Sequence, residues 1–246
     1  MENFFVDWFL WLHAEHGIKL TIFYDHWDRG RFISGIWTTI HLSFVTIVLS
    51  IVIGIIGAWF QKSRFVWIRI IVQGYIQFFR NTPPLIQLYF FYFAMDTFLS
   101  GIFNIHGGIL GSYGWAVVSL SFFAGAFNVE IFRAGVEAVP ESTVESAISL
   151  GYSRRQIYQY VTLPLAFRVC LPALNNNLIN LIKTTTVAYA IAVPETLYVA
   201  NQIWSDEYNV LEMMNVVWVI YIIIVGFLVW LMHRWELSTR IPGFGQ

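Results

Sequence analysis

Long stretches without a charged residue are the feature that most restricts how this chain can fold. Residues 32–60, 107–129 and 213–232 contain no Lys, Arg, Asp or Glu. A helix needs about 20 mostly apolar residues to cross the hydrocarbon core of a bilayer. The sequence therefore predicts an all-α, polytopic membrane protein. We expect five transmembrane helices, placed near residues 33–60, 65–95, 109–135, 167–194 and 211–234.

The composition excludes the other common classes of protein. Hydrophobic residues make up 57% of the 246 residues and charged residues only 12%, about half the charged fraction of an ordinary soluble domain. A disordered chain would be poor in aromatic residues and rich in charge, whereas 18% of this chain is aromatic. The net charge of −1 gives no basic surface for nucleic acid. Cys170 is the one cysteine, which excludes an intrachain disulfide and a cysteine-built metal site.

The basic residues predict the orientation in the membrane. Residues 96–112 and 195–212 contain no Lys or Arg. Cytoplasmic loops carry an excess of these residues, so both connections are expected outside the cell. The N-terminus is then outside and the C-terminus is cytoplasmic. The basic residues expected on the cytoplasmic side are Lys62, Arg64, Arg133, Arg154, Arg155, Arg168, Arg234 and Arg240.

Residues 1–31 are interpreted as a separate extracytoplasmic segment that lies in the membrane interface. They are dense in Phe and Trp but interrupted by charged residues and His, as in interfacial amphipathic helices. A poorly ordered tail is the alternative. Lys19, Arg29 and Arg31 do not fit the positive-inside rule on this side. Residues 32–240 are expected to form one transmembrane domain.

The longest polar segment between the expected spans predicts a short helix, a turn and a second helix. Ser142 with Glu145 three residues later forms a capping-box pattern, and Thr143 is an alternative first residue. The first helix is expected to run to Leu150. Gly151 then fits the position after a helix C-terminus, where the left-handed conformation is common.

The second helix of this segment is expected to begin at Ser153 and to end at Leu163-Pro164. Ser153 with Gln156 gives a second capping-box pattern. Two capped helices suggest a rigid module that meets a cytoplasmic partner. An amphipathic hairpin that lies on the membrane is the alternative.

The spacing within this segment resembles the coupling loop, or EAA loop, of ABC importer permeases. That pattern is Glu-Ala-Ala, three residues, Gly, nine residues, Ile, one residue, Leu-Pro. Here it reads Glu145-Ser146-Ala147, Gly151, Val161 and Leu163-Pro164 at the same spacing, with Ser146 and Val161 as departures. The segments 79–93 and 163–197 resemble the polar amino acid permeases, which serve histidine, arginine, glutamine and glutamate uptake. The resemblance covers about residues 33–240.

The resemblance implies a transport function without chemistry in this chain. Two permease subunits, identical or homologous, pair in the inner membrane of a bacterial cell, and a coupling loop at about residues 136–165 docks on a cytoplasmic ATP-binding subunit dimer. ATP and Mg bind to that partner, and no cofactor binds directly to the permease. An extracytoplasmic solute-binding protein delivers a small-molecule amino acid. The coupling-loop residues are Glu145, Ala147, Gly151, Arg154, Arg155, Leu163 and Pro164. Arg154 and Arg155 could pair with acidic groups on the ATPase or serve membrane topology alone.

Polar groups inside the expected spans predict a substrate path. A charge at bilayer depth costs about 2.5–3.5 kcal/mol on insertion scales, so such residues usually face a cavity or a partner. Pro83-Pro84 must break the second span, and a helix that restarts near Leu85 would favour an amino acid carboxylate. Arg80 either contacts substrate there or pairs with Glu130 and holds the bundle together. The candidate path residues are Arg80, Asn81, Thr82, Glu130, Asn176, Asn180, Lys183 and Thr184. Many members of the resembled group have Lys-Asp-Thr where this chain has Lys183-Thr184-Thr185.

Other functions find less support in the sequence. A membrane enzyme would need a catalytic constellation, and neither Gly-x-Ser-x-Gly nor His-Glu-x-x-His is present. A secondary transporter often contains an inverted repeat, and none is visible. There is also no Walker A pattern, so a separate subunit must hydrolyse ATP. A non-ABC transporter or channel, and a permease for an amine or an opine, remain the alternatives.

Overall fold

The chain folds into helices joined by short connections. The computed structural model describes residues 2–239, which form twelve α-helices and no strand. A π-helical turn at Phe90–Met95 joins α5 to α6, a second at Tyr158–Thr162 joins α9 to α10, and the 3₁₀ segment Thr185–Ile191 follows α10. The α-helices are α1 (Glu2–His16), α2 (Thr21–Tyr24), α3 (His26–Gln61), α4 (Val66–Asn81), α5 (Pro84–Tyr89), α6 (Asp96–Phe103), α7 (Ser112–Glu137), α8 (Glu141–Ser149), α9 (Arg154–Ile157), α10 (Leu163–Thr184), α11 (Thr196–Glu207) and α12 (Val210–Thr239).

Five helical segments are long and apolar enough to cross a bilayer, which confirms the predicted number of spans. Three of them lie near the predicted bounds, and the second and fourth differ in ways described below. The five segments are His26–Gln61, Pro84–Phe103, Ser112–Glu137, Arg154–Ile191 and Val210–Ser238. Arg240, which we expect on the cytoplasmic side, lies outside the described residues.

The first span begins seven residues before the predicted residue 33, at His26. Asp25 ends α2 in an extended conformation, and its Oδ1 accepts a hydrogen bond from the Asp28 N–H at 2.8 Å. This is the arrangement of an N-cap residue, which satisfies a free N–H of the first helical turn. Hydropathy marks where a helix becomes apolar, whereas the cap marks where it starts.

The bounds predicted for the second span, near residues 65–95, are wrong, because the segment that is long and apolar enough to cross the bilayer is Pro84–Phe103. Helix α4 ends at Asn81, Thr82 is extended (φ −114°, ψ 143°), and helix resumes at Pro84 and continues to Phe103. A residue before proline is pushed out of the helical region, and proline lacks the N–H of the helix ladder. The break expected at Pro83-Pro84 is thereby confirmed.

The described residues divide into two compact units, each with its own core. The first comprises residues 2–45, 88–118 and 182–226, and the second comprises residues 46–87, 119–181 and 227–239. In the first unit, Phe32, Val199, Ile203 and Met213 pack together from α3, α11 and α12.

The core of the second unit depends on glycines that let helices approach closely. Val72, Ile76 and Val129 are its buried centre. A Cβ added at Gly54 would lie 2.5 Å from the Asn128 Cβ, and one at Gly57 would lie 2.4 Å from the Val129 Cγ2. Helices α3 and α7 therefore touch at a distance that only glycine allows.

Two basic residues of the N-terminal region are paired with acidic residues at the end of α11. Lys19 forms an ion pair with Glu207, and Arg31 forms one with Asp206 at 2.8 Å. Glu207 raises the pKa of Lys19, chiefly through its hydrogen bond with the ammonium group. These pairs neutralise charges that did not fit the positive-inside rule. Helix α1 leaves the aromatic side chains of Phe4, Phe5, Trp8 and Trp11 exposed, and its place in the interface stays a prediction.

Candidate functional site

The first helix of the predicted coupling loop starts one residue before Ser142. Pro140 is the N-cap residue in an extended conformation, and α8 begins at Glu141 without a side-chain cap. The predicted Ser142–Glu145 capping box and the Thr143 alternative are therefore wrong. Proline is well suited to this end of a helix because its missing N–H would be unpaired there anyway. Glu141 places an acidic group in the first turn, where the helix dipole favours it.

The turn after α8 is the predicted glycine turn. Gly151 has φ +83°. Its N–H donates to the Ile148 carbonyl oxygen at 2.9 Å, and the Tyr152 N–H donates to the Ala147 carbonyl oxygen at 3.1 Å. These two bonds are those of a Schellman motif, in which a left-handed residue closes the helix end.

The second predicted capping box is also present. The Ser153 hydroxyl oxygen accepts the Gln156 N–H, and the Gln156 side-chain oxygen accepts the Ser153 N–H at 2.9 Å. Helix α9 thus starts immediately after the turn, at Arg154. Hydrogen bonds within the loop therefore fix both the end of α8 and the start of α9.

The predicted helix end at Leu163-Pro164 is wrong. The helix continues from Arg154 through the π-helical turn Tyr158–Thr162 into α10, which begins at Leu163. A proline ring inside an α-helix meets the carbonyl four residues before it. The wider π turn directly before Pro164 relieves that contact, as π bulges do inside long helices. The fourth span, predicted to start at residue 167, is therefore continuous with the loop.

The glycine turn exposes a small apolar surface. Leu150 is 77% exposed, Ile148 58% and Tyr152 44%. Ala147 and Ile157, one from each helix of the loop, are buried. Glu145, Arg154 and Arg155 are exposed, and their charged groups form no ion pair within residues 2–239. We call Ile148, Leu150 and Tyr152 the loop tip.

In the second unit, Glu130 is surrounded by three donors at different distances. Arg133 Nη2 donates to Glu130 Oε2 at 2.6 Å, and Gln61 Nε2 donates to Oε1 at 3.1 Å. Arg80 Nη1 lies 4.0 Å from the same carboxylate, and its guanidinium lies over the Phe127 ring at 5.3 Å. Arg133 and Gln61 hold Glu130 in place, and Arg80 lies at the edge of this cluster. From the sequence, Arg133 was expected only to mark the cytoplasmic side, and no role was predicted for Gln61.

The helix break at Thr82 is held by Gln87, which the sequence reading did not single out. Gln87 is buried, and its Nε2 donates to the Phe79 carbonyl oxygen at 2.8 Å and to Thr82 Oγ1 at 2.6 Å. The N–H groups of Ile86 and Gln87 both donate to the Pro83 carbonyl oxygen at 3.1 Å. Because the two prolines lack an N–H, Leu85 alone keeps a free amide in this first turn.

The remaining path candidates lie on α10. Asn176, Asn180 and Lys183 are exposed and follow one another at four- and three-residue spacing, so they share one helix face. Asn176 and Asn180 belong to the second unit, and Lys183 and Thr184 to the first. Lys183 forms no ion pair within the described residues.

A neighbouring asparagine of the same helix has a structural role instead. Asn177 Nδ2 donates to Asn128 Oδ1 at 2.8 Å, and Asn128 Nδ2 donates to Ser50 Oγ at 3.2 Å. This chain links α10, α7 and α3 inside the second unit, as polar residues do between membrane helices.

Comparisons with known proteins agree with these features. Residues 26–236 match the family described as "Binding-protein-dependent transport system inner membrane component". The chain is 28% identical over 193 residues to the octopine transport system permease protein OccM of Rhizobium radiobacter, covering 78% of this chain and 79% of that protein. It is 28% identical over 212 residues to the histidine/lysine/arginine/ornithine transport system permease protein HisM of Salmonella typhimurium, covering 85% and 90%. A chain from a crystal structure of an amino acid ABC transporter with histidines aligns with a TM-score of 0.76 at 27% identity, covering 85% of this chain and 94% of that chain.

Proposed function

Because the chain belongs to the family of binding-protein-dependent transport system inner membrane components, we propose that it forms part of the membrane path for a polar amino acid or an opine. It is a transmembrane subunit of an ABC importer, and a separate subunit hydrolyses the ATP. The names of the relatives support the substrate class, since HisM serves four amino acids and OccM serves octopine.

The coupling loop is proposed to dock on the ATP-binding subunit through the loop tip. The observation that carries this proposal is the exposure of Ile148, Leu150 and Tyr152 on a turn fixed by backbone hydrogen bonds. Exposed apolar side chains on a rigid element are typical of protein contacts. Glu145, Arg154 and Arg155 lie within a few residues of the tip, are exposed and form no ion pair within residues 2–239.

The partners follow from the family. An ATP-binding subunit dimer would carry ATP and Mg, and this chain would hold neither. A second permease chain, the same or homologous, would complete the path, and an extracytoplasmic solute-binding protein would deliver the substrate. The loop tip then lies in the cytoplasm and the N-terminus outside, in the orientation that the basic loops favour. Residues 1–31 would lie along the outer interface and residues 32–240 would form the permease domain.

The substrate path is proposed along Arg80, Asn81, Thr82, Glu130, Asn176, Asn180, Lys183 and Thr184. Arg80 supports it because Arg133 and Gln61 already satisfy Glu130 at shorter distances, which leaves the Arg80 guanidinium available. Lys183 supports it because a lysine without an acidic partner is costly at bilayer depth unless it faces water or a ligand.

The test is co-purification of the detergent-solubilised chain from its native membrane, followed by reconstitution and uptake of labelled amino acids and octopine. Leu150→Ser should release the ATP-binding subunit and abolish ATP-dependent uptake. Ser142→Ala is the matched control, because that side chain is exposed at the far end of α8 and caps nothing. An ATPase retained equally by wild type and Leu150→Ser would exclude the loop tip as the docking surface. Uptake without ATP would exclude the importer mechanism.

A further inference from the structure

A groove in the second unit lies apart from every residue discussed as a transport site except Arg133 and Leu163. Its volume is about 470 Å³, within the range of ligand pockets. We call it the α7 groove, because residues of α7 line it together with residues of α3 and α10. Its lining comes from α3 and Lys62 directly after it, from α7, from Tyr158 of the π turn, from α10 and from Trp235 of α12.

Close helix packing explains why the groove exists. Gly54 and Gly57 bring α3 against α7. Further along α7, a Cβ at Gly135 would lie 2.8 Å from both the Ala166 carbonyl oxygen and the Cys170 Cβ, so α10 is also close to α7. Helix α7 therefore packs closely against both α3 and α10, and larger side chains of these two helices line the groove.

Polar and apolar lining residues are separated along the groove. Lys62 follows the end of α3, and Arg133 and Tyr158 lie near the matching ends of α7 and the coupling loop. The other lining residues, from Leu174 and Leu178 to Ile51, are apolar. From Leu163 to Leu178 the wall measures about 22 Å at 1.5 Å per residue, more than one leaflet of the roughly 30 Å hydrocarbon core.

The ammonium group of Lys62, at the polar end of the groove, is available to bind a ligand. Arg133 is paired with Glu130 and Glu137, whereas Lys62 is exposed and forms no ion pair within residues 2–239. Trp59 and Trp235 line the same groove and are 71% and 41% exposed. Trp and Lys at the end of a membrane span are typical of the headgroup level.

We propose that the α7 groove binds one anionic glycerophospholipid, with an acyl chain along the α3 and α10 walls and the headgroup phosphate at Lys62. Apolar walls with a cation that has no acidic partner in the described residues, Lys62, match an anionic amphiphile, whereas the acidic partner that the ammonium group of a zwitterionic amino acid would need is absent from the lining. Basic pockets between helices on the cytoplasmic side bind anionic headgroups. The leaflet assignment rests on the proposed orientation, and lipid binding itself does not depend on which solute is transported.

The experiment is native mass spectrometry of the detergent-solubilised transporter after exchange into mixed phosphatidylglycerol and phosphatidylcholine. Wild type should retain phosphatidylglycerol in preference to phosphatidylcholine. Lys62→Gln should lower that preference about fivefold, which corresponds to about 1 kcal/mol. Arg64→Gln is its control, since Arg64 is a neighbouring cation that lies over the Phe65 ring and not in the groove.

A second pair of variants tests the walls. Ile55→Trp should fill the groove and reduce retained lipid at least fivefold, whereas Ile56→Trp, at an exposed position outside the lining, should leave it unchanged. Equal retention in wild type and Ile55→Trp would overturn the proposal, as would wild-type retention without headgroup preference. A disulfide between two Ile55→Cys chains would also overturn it, because a second permease copy would then cover the groove. Because Lys62→Gln leaves the walls intact, it remains decisive if Ile55→Trp does not fold.

Discussion

The backbone N–H of Tyr152 donates to the carbonyl oxygen of Ala147 at 3.1 Å, and this bond carries the chain across the turn of the coupling loop. Ala147 is buried and Tyr152 is partly exposed. The bond therefore connects the packed side of the loop with the loop tip. It requires a left-handed residue between the two helices.

Gly151→Ala tests that requirement. A Cβ at Gly151 would meet nothing within 4 Å, so the cost is the left-handed backbone alone, about 1–2 kcal/mol for a residue with a side chain. Amide exchange in residues 147–153 should accelerate, and ATP-dependent uptake should fall. Gly74→Ala is the control: its Cβ also has open space and it lies inside α4 at an ordinary φ, where alanine is favoured. Equal exchange in both variants would contradict the Schellman assignment.

Comparison of Arg133→Gln with Arg80→Gln tests whether Arg80 stabilises the helix bundle or contacts the substrate. Removing the 2.6 Å donor of Glu130 should lower the free energy of unfolding by about 1.5–3 kcal/mol, as loss of a hydrogen bond to a charged group does. Arg80, 4.0 Å away and exposed, should cost less than about 1 kcal/mol but should abolish uptake. Thermal unfolding in detergent and reconstituted uptake measure the two effects. A large loss of stability in Arg80→Gln would instead assign Arg80 to holding the bundle.

Gly54→Ala and Gly57→Ala test the contact between α3 and α7. An added methyl group would overlap Asn128 or Val129, and overpacking a core typically costs about 1–3 kcal/mol. The melting temperature of each variant should fall clearly. Gly226→Ala, where a Cβ meets nothing within 4 Å, should leave it unchanged. If both α3 variants melted at the wild-type temperature, α3 and α7 could move apart without loss of stability, which would contradict the prediction.

Glu195 predicts a dependence of stability on pH. Its buried carboxylate accepts the N–H groups of Leu197 and Tyr198 at 2.9 and 2.8 Å and the Tyr221 hydroxyl at 3.0 Å. Burial raises the pKa of Glu195 above its ordinary 4.5, against the opposing effect of these donors. Since the folded pKa is the higher one, the stabilisation is complete below pH 4.5 and is lost as the pH rises through the folded pKa.

Comparison of wild type with Glu195→Gln isolates this contribution. The difference in melting temperature between the two proteins should change across that pH window. The control is Glu15→Gln, an exposed position, which should show a constant difference from wild type. Parallel melting curves for wild type and Glu195→Gln at all pH values would exclude a raised pKa. Glu195→Ala should cost about 0.5–2 kcal/mol at low pH, because it removes the N-cap of α11.

The sequence was sufficient where the signal is local. Five apolar segments give the spans because the bilayer fixes their length, and the turn at Gly151 and the cap at Ser153 follow from residues within a few positions. The predicted helix start at Ser142 was wrong because Pro140, two residues earlier, also favours a helix start and is the N-cap residue in the structure. The helix end at Pro164 was wrong because a π turn accommodates the proline, and nothing in the pattern reveals that turn.

Contacts between distant segments could not be predicted. The pairs of Lys19 with Glu207 and of Arg31 with Asp206 join residues more than 170 positions apart. The same holds for the donors around Glu130, where the sequence suggested Arg80 but Arg133 lies closer. The proposed roles of the loop tip and of the substrate path remain predictions for the experiments above.

The uninterrupted helix from Arg154 into α10 has a consequence for the length of the loop. One residue inserted between Arg154 and Leu163 would turn everything before it by about 100° around the helix axis and shift it by about 1.5 Å. The loop tip would then face a different direction relative to the membrane span. The number of residues in this stretch is therefore constrained independently of their identity, and the segment should accept neither insertions nor deletions.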